Sequence, residues 1–221
     1  MTVSTLVDED DGDYSAGDFS LREAVGILAA TGVFRQEANI TFDPSLDGGA
    51  IEILSQLHWG VARPLLDLTG LTTGIKVHSD SQMLFGTQGL AKIGEAKLTL
   101  ALNYTSGHVY HRGGVLQIGD GGTRGYVSGI IYNSDRLIYN HSGAVTSAGL
   151  YGTGSLQVTG GGTLNVLQNH PMNGGVTVDS GSVLNIAPGG FGVPSGGSLA
   201  SDIVNNGTVR FSRVTVSCAN V

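Results

Sequence analysis

The sequence predicts an all-β protein that folds as a single-stranded, right-handed parallel β-helix, or solenoid, with a short capping helix at its N-terminal end. Three observations lead to this prediction: two pairs of internal repeats, a long run of short glycine-punctuated strands, and one amphipathic helix ahead of them. Repeats of this kind cannot bury their apolar residues alone, so successive turns have to stack into one continuous core. We expect residues 1–221 to form a single domain, with the cap and first coil in residues 1–50 and the repeats in residues 84–221.

The internal repeats lie 66 and 72 positions apart. The segment 86–100, which begins Gly-Thr-Gln-Gly-Leu, returns in degenerate form at 152–166, which begins Gly-Thr-Gly-Ser-Leu. The segment 131–139, which begins Ile-Tyr-Asn, returns at 203–211 as Ile-Val-Asn. Each copy is too short to be a domain, so we interpret the copies as turns of one coil.

The capping helix is predicted at residues 20–30. Ser20 and Glu23 form an S-x-x-E capping box, and an apolar face follows it at helical spacing. Thr31 and Gly32 supply the stop signal. Residues 1–7 alternate loosely around Val3 and Val7 and predict a first strand ahead of the helix. The apolar face consists of Leu21, Ala24, Val25 and Leu28.

Strands are predicted from Ile40 onward. Many are only three or four residues long and are separated by Gly, Asn, Asp or Ser, which favours short faces and sharp corners over a sandwich of hairpins. Trp59 is expected to fill a wide corner, and the Pro- and Gly-rich residues 187–198 are expected to form a protruding loop. The clearest strands are 40–42, 51–53, 98–100, 115–118, 137–139, 156–158, 164–166, 176–178, 183–186, 203–204 and 209–211.

Composition and charge exclude several classes of function. The formal charge of −7 is concentrated in residues 1–60, which hold 11 acidic residues and 2 Arg, and no basic stripe exists for nucleic acid. No run of 18 apolar residues predicts a membrane helix. Cys218 is the only cysteine, so it has no partner for an intrachain disulfide.

The acidic run Asp8–Asp13 has the density of oxygen ligands that Ca²⁺ prefers, and Gly12 permits a sharp loop within it. It lacks the spacing and the distant glutamate of an EF-hand loop. We therefore interpret the run as a solvated, self-repelling loop and keep a calcium site as the alternative.

Two regions resemble a known family. Residues 86–120, with Lys92-Ile93-Gly94 and the Gly-Val-Leu-Gln-Ile-Gly-Asp-Gly-Gly-Thr sequence at 114–123, resemble the autotransporter-associated β-strand repeat, and residues 152–186 resemble a second copy. The Ser-Leu-Arg-Glu-Ala sequence at 20–24, with Asp-Asp-Gly-Asp at 10–13, is similar to the motif that opens many bacterial surface β-helix proteins. The chain departs from these patterns at His108–His111, at 169–172, and at Phe19, where many relatives have Cys.

The resemblance implies a non-catalytic structural or adhesive module, similar to an autotransporter passenger, at the surface of a Gram-negative bacterium or secreted from it. Its partner would be a surface glycan or a protein receptor. Residues 1–4 lack the basic and apolar segments of a signal peptide, so we expect a removed leader or a segment of a larger protein. A self-assembling extracellular filament subunit is an alternative function.

A carbohydrate-active β-helix enzyme, such as a polysaccharide lyase or hydrolase, is the alternative from another class. Such an enzyme needs acidic and basic side chains clustered on neighbouring turns. Beyond residue 60 the seven acidic residues are dispersed, although stacking of turns could bring a pair together. We therefore predict no catalytic residue and no cofactor. The acidic residues are Asp67, Asp80, Glu95, Asp120, Asp135, Asp179 and Asp202.

His108 and His111 are the remaining candidates for a metal site. On a strand, a spacing of three places two side chains on opposite faces, which is unsuitable for a shared metal ion. We interpret both as surface histidines and predict no metal site.

The C-terminal end is predicted to be open. Val209, Phe211, Val214 and Val216 continue the strand pattern, and no helix or charged cap follows them. An open solenoid end exposes unpaired backbone groups and apolar core, so we expect self-association through the last coil.

Overall fold

A computed structural model of the chain describes residues 1–32, 37–105, 107–166, 169–186, 198–199 and 201–211. Within these residues the chain is nearly all-β, with one α-helix, α1 (Leu21–Ala30), and one 3₁₀ turn (Pro44–Leu46). The strands are β1 (Thr2–Val3), β2 (Glu37–Phe42), β3 (Ala50–Glu52), β4 (Leu57–His58), β5 (Arg63–Asp67), β6 (Gly74–Phe85), β7 (Leu90–Ile93), β8 (Lys97–Thr105), β9 (Val109–His111), β10 (Val115–Ile118), β11 (Tyr126–Val127), β12 (Ile131–Asn133), β13 (Arg136–Asn140), β14 (Ala144–Ser147), β15 (Leu150–Tyr151), β16 (Ser155–Thr159), β17 (Thr163–Val166), β18 (Asn169–His170), β19 (Val176–Val178), β20 (Val183–Ile186), β21 (Ser198–Leu199), β22 (Ile203–Asn205) and β23 (Thr208–Phe211).

The strands stack in parallel as a solenoid of about seven turns, which confirms the predicted β-helix. Partners in adjacent turns lie 18 to 29 positions apart, as in the pairs Leu98–Leu116 and Asn169–Ser198, except that the segment containing α1 separates the partners Thr2 and Thr41 by 39. The right-handed sense of the coil stays a prediction. The first sheet contains β1, β2, β5, β7, β9, β12 and β15; the second runs through β3, β6, β8, β10, β13, β16, β19 and β22; the third contains β14, β17, β20 and β23; and β18 pairs with β21.

The second face changes character along the coil. In the early turns β6 and β8 are long strands that bend onto the third face, and their pairing shifts register between His78 and Met83. From β13 onward the third face is made by the separate short strands β14, β17, β20 and β23. The outward side of β6, β8 and β10 thus forms a continuous surface on successive turns.

The core is aliphatic and continuous from end to end. Strands alternate between buried and partly exposed positions, as in Thr163–Val166 and Val183–Ile186, because successive side chains point to opposite sides of a strand. Stacked leucines such as Leu98, Leu116 and Leu137 are fully buried in consecutive turns. This stacking buries the apolar residues that no single turn could shelter.

Helix α1 packs on the first turns of the coil and confirms the predicted cap. The Ser20 hydroxyl accepts from the backbone N–H of Glu23, and the Glu23 carboxylate accepts from the backbone N–H of Ser20, which completes the capping box. The helix ends at Ala30, before the predicted stop at Thr31. All four residues of the predicted apolar face are buried in the core: Leu21, Ala24, Val25 and Leu28.

Trp59 occupies the predicted corner between β4 and β5 and is almost fully buried. Its ring stacks on Tyr104 at a centroid distance of 5.6 Å, and its Nε1–H donates to the Gly89 carbonyl. Gly86 lies so close that a Cβ atom there would stand 1.8 Å from Trp59 Nε1. The indole therefore depends on a residue without a side chain at position 86.

The internal repeats do not mark equivalent positions in the stack. Leu98 lies on the second sheet, whereas its repeat partner Leu164 lies on the third; Leu98 stacks instead in line with Leu156. Ile131 and its repeat partner Ile203 lie on the first and second sheets. In both pairs the second copy lies on the face that follows the face of the first copy. This happens because every face is built from the same sequence pattern, a glycine-rich corner followed by a short alternating strand.

Some predictions fall outside the described residues. The expected loop at 187–198 lies there except for Ser198, which belongs to β21. Val214, Val216 and Cys218 also lie outside the described residues.

Candidate functional site: a polar groove beside an aromatic ladder

A polar groove runs across the outward side of β6, β8 and β10. Lys76, Thr99 and Gln117 are register partners on these three successive turns. Residues in register on a parallel sheet lie about 4.8 Å apart, so the three side chains form one row across the coil. The corner at Thr73 bounds the groove on one side, and the residues that follow β10 bound it on the other.

The groove has two depressions that share Asp120. The first encloses about 240 Å³ and the second about 280 Å³, so together they fall within the roughly 300–1,000 Å³ of small-molecule sites. The first is lined by polar side chains and glycine backbone, notably Thr73, Gly74, Lys97 and Gln117. The second is lined by His78, Asp80, Ala101, Thr123 and Arg124.

An ion pair crosses the groove between the depressions. Lys76 Nζ donates to Asp120 Oδ2 at 2.5 Å. The hydrogen bond from Lys76 lowers the pKa of the Asp120 carboxyl, which therefore stays ionised at neutral pH. A carboxylate held in this state has no proton to donate as a general acid.

The other charged groups of the groove are exposed. Arg124 and Asp80 form a loose pair with 3.5 Å between Nε and Oδ1, and the Asp80 side chain is 93% exposed. Lys97 has no carboxylate partner in the part of the chain that the structure describes. The groove therefore offers one unpaired cation, one bridging ion pair and one weak pair.

An aromatic ladder lies on the outward side of the first sheet. Tyr110, Tyr132 and Tyr151 are register partners on consecutive turns. The first two rings stack at a centroid distance of 5.1 Å with 9° between their planes, and the third follows at 5.8 Å. The Arg63 guanidinium lies 4.1 Å from the Tyr110 ring centroid and covers that end of the ladder.

The geometry of the ladder fits a structural role and not a ligand-binding one. A sugar or nucleobase binds an aromatic side chain through an open ring face, but the faces of Tyr110 and Tyr132 are turned toward each other. Arg63 and Arg112 are held in turn by Glu37, whose pKa is lowered chiefly by its hydrogen bond with Arg112. The ladder and this clamp draw their residues from five turns of the coil.

A stack of buried polar side chains lies on the inward side of the same sheet. Lys92, His111 and Asn133 are register partners on three turns, and all are fully buried. Lys92 Nζ donates to the carbonyls of Gly94 and Gly113. His111 Nδ1 lies 2.7 Å from Asn133 Oδ1.

The electrostatics of this stack follow from burial. Desolvation lowers the pKa of Lys92 to about 8 and lowers the pKa of His111 as well. The His111 ring lies between two acceptors, Asn133 Oδ1 beside Nδ1 and the Gly113 carbonyl 3.1 Å from Nε2, so neutral His111 donates its single N–H to one of them. A stack with no exposed surface cannot touch a substrate, so its role is to hold turns together.

The prediction that His111 lies at the surface is therefore wrong. His111 alternates with Tyr110 on β9 and faces inward, where Asn133 of the next turn satisfies it. His108 is half-buried, accepts a hydrogen bond from the Ile130 N–H, and packs its ring edge-on against Tyr132. The two histidines do lie on opposite sides of the strand, as their spacing predicts.

The acidic run is only partly the solvated loop that was predicted. The Asp8 side chain is fully buried and forms a two-pronged ion pair with Arg22, at 2.9 and 2.7 Å, and it also accepts from the Leu54 N–H. Asp11 and Asp13 are exposed and accept from backbone N–H groups two residues on. Asp8 thus fastens the N-terminal segment to the helix because its charge is matched by a fork of donors.

The dispersed acidic residues mostly stabilise corners. Asp67 accepts from Asn39 and Thr69, and Asp135 accepts from the Gly114 N–H. Asp80 and Asp120 line a common depression, although 40 positions separate them. The sequence allowed for such a pairing but gave no means to identify which pair it would be.

Other kinds of site are not supported. Among the residues that the structure describes, no three His, Cys, Asp or Glu side chains gather in a way that could hold a metal ion. The described part of the chain has no helix with the length and apolar character of a membrane span.

Comparison with known proteins adds no relative. No family model matches the chain, no curated protein matches its sequence, and no solved structure matches its fold. Functional inference therefore depends on the geometry of the groove and the ladder.

Proposed function

We propose that the chain is a non-catalytic structural or adhesive β-helix module of a bacterial surface or secreted protein. The observation that carries this proposal is how the charged side chains of the coil are paired. Buried ones are matched by partners in neighbouring turns, as in the Asp8–Arg22 pair, or hydrogen-bonded to carbonyls, as is Lys92. Catalysis instead requires groups whose protonation or nucleophilicity is poised for reaction in an accessible site.

The surface supports the same function. The aromatic ladder, the Glu37 clamp and the buried stack bind each turn to its neighbours, which suits a stiff rod that presents its faces to solvent. The resemblance of residues 86–120 and 152–186 to the autotransporter-associated repeat agrees with an extracellular location. The partner would be a surface glycan or a protein receptor.

The test compares binding with turnover. Beads coated with the chain should adhere to a glycan- or cell-coated surface, and a panel of polysaccharides incubated with the chain, with and without Ca²⁺, should stay intact. Robust cleavage that is lost in Asp120→Asn would refute the non-catalytic function. Asp179→Asn, which makes the same substitution after β19 on the same sheet but outside the groove, is the matched control.

A carbohydrate-active enzyme is the second candidate, and one observation favours it. Asp80 and Asp120 lie with Arg124 at one depression of an open groove, which is the kind of cluster that such chemistry needs. Against it, Asp120 is held ionised by Lys76 and Asp80 is almost fully exposed. The lowered pKa of Asp120 is the opposite of what a general acid needs. The polysaccharide panel separates this candidate from the first.

A further inference from the structure

The groove across β6, β8 and β10 has the properties of a binding site for an extended polar chain. Its row of side chains is set on three hydrogen-bonded turns, so their spacing is fixed by the sheet. Its wall is fixed as well, because Gly119 donates to the Leu100 carbonyl and Gly121 donates to the Asn140 carbonyl. The wall is thereby tied to the turn before it and the turn after it. A site held in this way loses little entropy on binding.

The groove is unsuited to a peptide. A peptide that binds to a sheet adds a strand at a free edge, but β6, β8 and β10 are each paired on both sides. A peptide side chain anchors in an apolar pocket, and the lining is mainly hydroxyl, amide, charged and glycine groups. Such groups recognise hydroxyls, which points to a saccharide.

The charge of the groove selects among saccharides. Lys97 lies one turn from Lys76 and two residues back along the strand, because its register partner is Gly74. From strand spacing and rise, the two Cα atoms lie about 8 Å apart, so both ammonium groups can reach one anion. Lys97 has no carboxylate partner among the described residues, and the Lys76–Asp120 pair is about one-third exposed and open to competition.

We propose that this groove binds an acidic oligosaccharide, with a uronate carboxylate between Lys97 and Lys76 and sugar hydroxyls on Gln117 and Thr73. The inference rests on the proposed adhesive function and names the class of glycan. The carboxylate replaces Asp120 as the partner of Lys76 or shares that lysine with it. The second depression, with Arg124 and His78, receives the neighbouring sugar.

The experiment titrates the ¹⁵N-labelled chain with trigalacturonic acid and, separately, with maltotriose, a neutral chain of the same length. We expect trigalacturonic acid to shift the backbone amide signals of Thr99 and Gln117 and to leave that of Tyr132, on the ladder, unchanged. Lys97→Ala and Lys76→Ala should each weaken binding roughly five- to tenfold, as expected for a charged hydrogen bond at a partly exposed site. Arg136→Ala removes an exposed cation on the same sheet outside the groove and should leave the affinity unchanged.

Several results would overturn the proposal: no shift at the groove, an equal response to maltotriose, affinity unaffected by Lys97→Ala, or equally tight binding of a pentaglutamate peptide. Unchanged circular dichroism of each variant confirms that it is folded. The outcome for the proposed function is separate. Fragments of trigalacturonic acid in the titrated sample would overturn the non-catalytic function while supporting the site, and absence of binding would overturn the site while leaving a structural module standing.

Discussion

Lys92 provides the most direct test of the electrostatics of the buried stack. Its ammonium group is fully buried and is held by two backbone carbonyls, those of Gly94 and Gly113. The variant Lys92→Met replaces the ammonium with an apolar thioether on an unbranched side chain. We expect the two proteins to differ in how their free energy of unfolding depends on pH.

The size of the effect follows from the shift in the pKa of Lys92, from 10.5 to about 8. Below about pH 8 both the folded and the unfolded chain hold the proton, so Lys92 contributes no slope. Between about pH 8 and 10.5 the unfolded chain binds more protons, so the free energy of unfolding rises with pH. Integrated from about pH 7 to about pH 10, the rise is about 2.5 kcal/mol.

Urea unfolding of the wild type and Lys92→Met at several pH values provides the measurement. The wild-type value minus the variant value should climb by about 2.5 kcal/mol over that range, because the titration of groups that do not interact with Lys92, such as the buried Tyr104 and Tyr139, is common to both proteins and cancels. Lys97→Met reports what the loss of an exposed lysine does over the same range. A flat difference curve for Lys92→Met would show that the ammonium is not desolvated, and the account of the buried stack would fail.

Three further outcomes are expected. Arg22→Ala should lower the free energy of unfolding by about 3–5 kcal/mol in urea, because the buried Asp8 carboxylate loses its ion pair; a loss below about 1 kcal/mol, typical of exposed pairs, would contradict this. Burial lowers the pKa of His111, so the unfolded chain binds more protons than the folded chain in acid. The free energy of unfolding of the wild type should therefore fall as the pH drops below about 6.5, and His111→Asn should lack this part of the fall. Identical acid profiles of the two proteins would rule out a buried, destabilising His111. Light scattering over a dilution series should show self-association through the C-terminal strands, weakened by Phe211→Lys at the exposed end of β23, whereas a strict monomer at tens of micromolar, roughly the range of weak edge pairing, would refute it.

The helix and most strands could be predicted because their signals are local. The Ser20–Glu23 capping box lies within four residues, and strands such as Leu164–Val166 alternate over a few residues. The parallel stacking of those strands follows from their shortness and from the repeats, since short apolar faces need neighbours. The interpretation of the repeats was wrong in one respect. Every corner and strand follows the same pattern, so the sequence match paired Leu98, on the second face, with Leu164 on the third face instead of with Leu156 on the second.

The inward polar residues could not be predicted in the same way, because their partners lie in other turns. The Gly113 carbonyl beside Nε2 of His111 is close in sequence, but Asn133, whose side chain faces Nδ1, is one turn away. A signal was present in the spacing, since Lys92, His111 and Asn133 are separated by 19 and 22 positions, close to the length of a turn. This spacing can be recognised only once the turn length is known, and here partners in adjacent turns lie from 18 to 39 residues apart.

The groove has the same origin as the buried stack, although the stack faces inward on the first sheet and the groove faces outward on the second. A position that repeats once per turn places like-facing side chains about 4.8 Å apart, whether they face the core or the solvent. Inward, burial demands that each polar group find a partner, so Lys92 and His111 are saturated by the protein itself. Outward, water satisfies polar groups, and Lys97 remains exposed without a carboxylate partner among the described residues. The chemistry that this coil has available for another molecule is therefore found on its outward rows, and the row that begins at Lys76 is the one with a wall beside it.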